Sequence, residues 1–158
     1  MRTGGRRGVR RPPGWLTNQA LTVEGKGAMS NLHVRDLMTA AVVSVGPDEP
    51  IDAVQNLMDR KHIRHVPVVD GAGRVLGVVS QRDILQRALL EDTGAVSEIM
   101  AWKTETIDAD QPLSKAARIM LGQKYGCLPV VEHGRLAGIL TEADFVKYVA
   151  SGKAPVRQ

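Results

Sequence analysis

Val78-Val79-Ser80-Gln81-Arg82-Asp83-Ile84-Leu85 and Ile139-Leu140-Thr141-Glu142-Ala143-Asp144-Phe145-Val146 follow one pattern. In each, an apolar strand end runs into a hydroxyl residue, then two variable positions, an aspartate, and apolar residues at helical spacing. Working outward, the likeness extends over most of the chain. Val34-Arg35-Asp36-Leu37-Met38 returns as Val96-Ser97-Glu98-Ile99-Met100, Pro50-Ile51 as Pro112-Leu113, Met58 as Met120, and Val66-Pro67-Val68-Val69 as Leu128-Pro129-Val130-Val131. Gly77 then answers to Gly138 and Asp83 to Asp144, with one residue lost where Asp70-Gly71-Ala72-Gly73 becomes Glu132-His133-Gly134. A hairpin loop is where a structural repeat tolerates that loss.

Each copy predicts the same elements. A short helical turn carries Asp36-Leu37-Met38, and a strand follows at Val42–Val45. After the Pro47-Asp48 turn, Ile51, Val54, Leu57 and Met58 fall at helical spacing. Val66–Val69 and Val75–Val79 form a hairpin, and a helix begins near Ser80. The second copy predicts a strand at Thr104–Ile107, a helix from Pro112 to about Gly122, a hairpin across Glu132–Arg135 and a helix from Thr141. The expected fold class is α+β (an α/β-type repeat): two β-α-β-β-α units, residues 33–91 and 95–150, paired about a pseudo-twofold axis. One unit of this size buries too little surface to be stable alone, so the two pack together and leave a cleft between them. Gly77 and Gly138, inside strands, mark close backbone approaches.

Composition excludes several classes. Hydrophobic residues make up 43% of the 158, enough for a core, but aromatics only 3%. The core is therefore aliphatic, and base-stacking platforms are not expected. Residues 1–28 carry six Lys or Arg and one acid, whereas the other 130 carry fifteen basic and sixteen acidic groups. The basic character thus belongs to an Arg-, Gly- and Pro-rich leader expected to be disordered, either an arm for a polyanion such as nucleic acid, a solvated leader, or sequence before a translation start at Met29. Residues 151–158 are expected to form a C-terminal tail. A single cysteine, Cys127, permits no internal disulfide and suits a reducing, cytoplasmic setting; in its apolar run it is expected to be a small core residue. No run of 18 apolar residues predicts a membrane span.

The ordered combination of Asp36-Leu37-Met38, Val43-Ser44-Val45, Ile63 to Pro67-Val68-Val69, Gly77-Val78-Val79-Ser80 and Ser80-x-x-Asp83, repeated as Glu98-Ile99-Met100, Thr106-Ile107, Gly126 to Pro129-Val130-Val131, Gly138-Ile139-Leu140-Thr141 and Thr141-x-x-Asp144, resembles a tandem pair of CBS (cystathionine β-synthase) domains, a Bateman module, over about residues 33–150. The resemblance is to a stand-alone CBS-domain protein. It implies a regulatory sensor, not an enzyme: a module that binds an adenosine-containing ligand (AMP, ADP, ATP or S-adenosylmethionine) between the repeats, forms a flat homodimer and signals to a partner protein. An interaction scaffold with vestigial clefts is the alternative, with nucleic-acid binding through the leader a third.

Ser/Thr-x-x-Asp has two compatible readings. A hydroxyl before a helix with an acid three residues on is close to a capping box, which stabilises a helix end by about 1 kcal/mol and needs no ligand. The same helix N-terminus attracts phosphate, and the resemblance implies that Ser80 and Thr141 contact phosphate while Asp83 and Asp144 accept hydrogen bonds from ribose hydroxyls. It further places an apolar adenine slot at Val43, Ile63, His65, Val66, Pro67 and Val79 in the first copy, and at Glu105, Cys127, Leu128, Pro129 and Leu140 in the second. The copies differ in charge. Lys61, His62, Arg64, His65 and Arg82 surround the first motif with cations suited to phosphates. The second has Glu142 and Ala143 for Gln81 and Arg82, and Glu105 for Val43, with Lys124 in partial compensation. The Asp83 site is therefore expected to prefer a phosphorylated ligand and the Asp144 site a less anionic one or none. His62-x-x-His65 lacks further ligands at metal spacing, Gly71-Ala72-Gly73 joins two strands and so is a turn and not a dinucleotide loop, and Ser80 lacks a nucleophile elbow. Leu85, Leu89 and Leu90 form a plausible contact face.

Overall fold

The computed structural model describes residues 31–88 and 94–152. The leader 1–28, Leu89 and Leu90, and all of the C-terminal tail but Ser151 and Gly152 lie outside them.

The repeat is explicit in the elements. Helix α1 (Ile51–Lys61) follows Pro50, whose extended backbone launches it, and buries Ile51, Val54 and Met58. Later in the chain, helix α3 (Leu113–Gln123) follows Pro112 and buries Leu113, Ala116 and Met120 at the same spacing. Both end on a left-handed residue, His62 at φ 53° and Lys124 at φ 58°. Strands β1 (His65–Val69) and β2 (Val75–Ser80) form the first antiparallel hairpin, with Val68 opposite Gly77. Its turn is held by Asp70, whose Oδ1 accepts from the Ala72 and Arg74 amides at 2.9 Å each. Helix α2 (Gln81–Ala88) follows directly. In the second half, strands β5 (Cys127–Glu132) and β6 (Arg135–Thr141) form the hairpin, closed by His133 and Gly134, both at positive φ as a tight two-residue turn requires. Helix α4 (Glu142–Ala150) completes it.

The expected strand at Val42–Val45 is reduced to one parallel bridge, Val45 to Val68. Pro47, two residues on, has no amide with which to extend the ladder. Its counterpart, β4 (Ile107–Asp108), pairs parallel with β5 through Ile107 and Val130, and starts later than the expected Thr104 because Lys103, at φ 55°, turns the chain beforehand.

A larger departure concerns what the repeats pack against. The leading turn of the first repeat, a 3-10 turn at Val34–Asp36, does not join the first core. Val34 is buried with Ile107, Leu113, Leu128, Val130 and Leu140 of the second half. Its amide donates to the Gln111 carbonyl at 2.9 Å, and Leu113 returns a bond to the Leu32 carbonyl at 2.8 Å. Reciprocally, the turn Val96–Glu98 that opens the second repeat sits in the first core, with Val96 among Val54, Met58, Val66, Val79 and Ile84 and its amide on the Glu49 carbonyl at 2.9 Å. The chain then adds the unexpected strand β3 (Ala101–Trp102) to the edge of β2, giving sheets ordered β1-β2-β3 and β4-β5-β6. The leading segments are thus exchanged between halves, and this explains the strand glycines. A Cβ on Gly77 would overlap the Ala101 carbonyl, and one on Gly138 would meet Met38 Sδ and the Thr39 carbonyl at 2.9 Å each. A third apolar cluster, Val78, Cys127 and Ile139 with Val42 against them, joins the two halves.

Candidate functional site

The two hydroxyl–aspartate motifs sit at the starts of α2 and α4. In the first, Asp83 Oδ2 accepts from the Ser80 amide at 2.8 Å and from the Ser80 hydroxyl at 2.6 Å, while the Asp83 amide donates back to Ser80 Oγ at 3.3 Å. In the second, Asp144 Oδ2 accepts from the Thr141 amide at 2.8 Å and the Thr141 hydroxyl at 2.7 Å. Both motifs therefore act as helix caps. They differ in what remains. No group among the described residues donates to Asp83 Oδ1, whereas Asp144 is only 8% exposed and its Oδ1 lies 4.0 Å from Lys147 Nζ.

An open cleft of about 800 Å³ lies beside the first motif. Arg64, His65, Ser80, Arg82 and Asp83 line it, as expected of candidate contact residues, together with Leu85 and Gln86 of α2. The opposite wall comes from the second half: Lys124, Gly126 and Glu142. Lys124 and Glu142, expected to serve the Asp144 motif, thus also line the Asp83 cleft. Thr141 and Asp144 are not on its wall.

Most of the residues expected to form the two apolar slots lie elsewhere than on this cleft. Val79, Leu128 and Leu140 are fully enclosed in the two cores, Pro67 and Pro129 are buried, and Ile63 packs against the first core. Cys127 belongs to the seam between halves. None of these side chains lines the cleft, and neither does half-buried Val43. The β-branched and aliphatic residues were needed to bury the sheet faces, so the residues that line the cleft are mostly polar or charged in type. Glu105, Lys61 and His62 are exposed away from it.

Electrostatically the cleft is rich in cations. The side chains of Arg64, Arg82 and Lys124 make no ion pair with any described residue. His65 lies against the backbone of Gly126: its Nε2 is 3.2 Å from where a Cβ on that glycine would stand. Partial burial pushes the His65 pKa below its ordinary value, outweighing the opposite pull of Asp83 and Glu142, and Arg64 adds to the lowering. Burial also pushes the Cys127 thiol up to about 12, so it is an inert core residue. Among the described residues no group of three or more His, Cys, Asp or Glu is arranged to hold a metal ion, and no helix is long and apolar enough to cross a membrane.

The sequence pattern of the CBS domain matches residues 34–89 and again 96–151. Among curated proteins, the chain is 30% identical over 127 residues to the uncharacterized protein MJ1225 of Methanocaldococcus jannaschii; the match covers 78% of this chain and 45% of that protein, so the chain spans less than half its relative's length. Among solved structures it is similar to the CBS-domain containing protein ATU1752 of Agrobacterium tumefaciens, at 30% identity and a TM-score of 0.68, over 75% of this chain and 99% of that one. It is also similar to CBSX2 in complex with AMP, at 29% identity and a TM-score of 0.69, over 75% and 96% of the two chains.

Proposed function

The chain belongs to the CBS domain family, with the domain present twice in tandem, and from that premise we propose that it is a regulatory module that binds an adenosine-containing ligand in the Asp83 cleft and passes that state to a partner protein. One observation carries the reading: the cleft brings together Asp83, whose Oδ1 has no donor among the described residues, and three cations with no ion-pair partner among them, Arg64, Arg82 and Lys124. A ribose needs an acceptor for its hydroxyls and a phosphate needs cations, and this wall supplies both. The AMP bound by CBSX2 supports the same ligand class. Asp83 would take the ribose, with Arg64 and Arg82 on the phosphate. The Asp144 motif, more enclosed, would be the weaker site or a cap alone.

Signalling follows if the ligand binds one arrangement of the two halves better than another, since only differential affinity shifts such an equilibrium. A cytoplasmic setting and a homodimer belong to this reading. Leu85 on α2 and its repeat equivalent Val146 on α4 are 56% and 67% exposed, apolar area that a second copy of the chain would cover. Isothermal titration calorimetry with AMP, ADP, ATP and S-adenosylmethionine tests the binding. Saturable heat with at least one ligand, lost in Arg64→Ala combined with Arg82→Ala, is the expected result. A folded protein that gives no heat with any of the four overturns it.

A further inference from the structure

We propose that Lys124, reaching the cleft from the second half, makes it selective for nucleotides with more than one phosphate, and that Glu142 on the same wall limits that preference. The inference rests on the nucleotide reading above and deepens it.

The backbone role of Lys124, to cap helix α3, does not call for a lysine. Lys124 ends helix α3 in the left-handed region at φ 58°, its amide donating to the Met120 carbonyl. Glycine is the residue that position favours, because any Cβ there crowds the following carbonyl. A lysine held in that conformation, with no ion-pair partner among the described residues, places an uncompensated cation on the cleft wall. Strained backbone of this kind concentrates at functional sites. The repeat equivalent, His62, adopts the same conformation at φ 53° but does not line the cleft. The cation is therefore particular to this side of the pair.

Position determines what the cation can select. Asp83, Arg64 and Arg82 belong to the first half and suffice for a ribose and its first phosphate. Lys124 comes from the second half, between helix α3 and strand β5, and adds a further cation to those of the first half; each added phosphate brings more negative charge for it to attract. Glu142 occupies the same wall and forms no ion pair with Lys124. It opposes each added negative charge, so the two side chains act on phosphate number with opposite sign.

The test is calorimetry of the full chain with AMP and with ATP, in chelator so that no divalent cation masks the tail, for wild type, Lys124→Gly and Glu142→Gln. ATP is expected to bind wild type more tightly than AMP. Lys124→Gly is expected to weaken ATP about three- to tenfold, the range for a charged contact in an open site, and AMP by less than about twofold. Because glycine suits the backbone, its melting temperature should hold or rise. Glu142→Gln should shift the ATP-to-AMP ratio the other way, and supports the selection independently of how Lys124→Gly folds. Equal affinity for AMP and ATP in wild type overturns the selectivity and leaves the nucleotide reading standing. So does a parallel change for both nucleotides, or no change, in the two variants. Wild type that binds neither nucleotide overturns both.

Discussion

Asp83→Asn separates the two roles of the hydroxyl–aspartate motif. In the folded chain both cap bonds converge on Asp83 Oδ2, from the Ser80 amide at 2.8 Å and the Ser80 hydroxyl at 2.6 Å. An asparagine places its amide oxygen there and accepts both, while its NH2 takes the position of Oδ1. The cap survives, because asparagine and aspartate are near-equal at helix starts. What the fold loses is the charge: bonds to a neutral acceptor are weaker than bonds to a carboxylate, and the favourable interaction with the helix dipole disappears. Together these cost about 1 kcal/mol, a fall in melting temperature of roughly 3–5 °C for a domain of this size. The ligand loses more. The free atom changes from a charged acceptor to a donor, so a ribose hydroxyl loses a charge-assisted bond and faces a mismatched group. That loss is about 2–3 kcal/mol, or roughly 30- to 150-fold in affinity. The assay is calorimetry with the tightest ligand of the panel, alongside thermal melts with and without it. Asp144→Asn is the internal control: its cap bonds are the same, but Asp144 is 8% exposed and off the cleft wall. It should lower stability by a similar amount and leave affinity within about threefold. If Asp83→Asn melts lower yet binds as wild type, Asp83 is a helix cap and the grip is refuted.

Two further outcomes follow from the packing. Gly77→Ala should destabilise by about 3 kcal/mol, because its Cβ falls on the Ala101 carbonyl and must displace strand β3, whereas Gly138→Ala should cost about 1–2 kcal/mol, because flexible Met38 takes up part of the overlap; urea denaturation measures both, and equal costs would contradict the rigid β3 contact. His65 predicts a pH dependence. Its folded pKa lies below its ordinary value, so the unfolded chain binds the proton first on acidification. Stability should be complete above the unfolded value near 6.5 and fall as the pH drops from there toward the folded pKa. His65→Gln should remove that component of the acid loss, and an unchanged pH profile in the variant counts against it.

The fold was legible where one element's own residues determine it. Ile51, Val54 and Met58 mark α1 by their spacing alone, and Leu113, Ala116 and Met120 mark α3. Gly73 and Gly134 mark the two hairpin turns, and the one-residue difference between them leaves the register of both hairpins equivalent. The exchange of leading turns was not legible, because Val34 and Val96 satisfy either core equally well. They are repeat equivalents of the same size, each with an acid two residues on, Asp36 and Glu98, and nothing local distinguishes packing at home from packing across the pair. The strand glycines were the available signal. Gly77 and Gly138 predict a close backbone approach, but only three dimensions show that the approaching backbone is Ala101 in one case and Thr39 in the other.

The hydroxyl–aspartate motifs were legible in the sequence, but not which half lines the cleft beside them, for a reason that follows from symmetry. Reading the repeat as a line assigns residues 95–150 to the second motif, so Glu142 and Lys124 were expected beside Asp144. In a pair built about a pseudo-twofold axis, the residues at the start of α2 and of α4 lie near that axis, and a side chain there faces the other half as readily as its own. Gln81 and Glu142, repeat equivalents, accordingly line one cleft together. The apolar slots are a different case. Val79, Leu128 and Leu140 were expected to cover a base, but with Val66, Val68 and Val130 they cover the inner faces of the two hairpins, and burial there is worth about 1.5–3 kcal/mol for each. The cores take them. What reaches the cleft is what the cores leave out, among them Arg64, Arg82 and Lys124, cations that form no ion pair with any described residue.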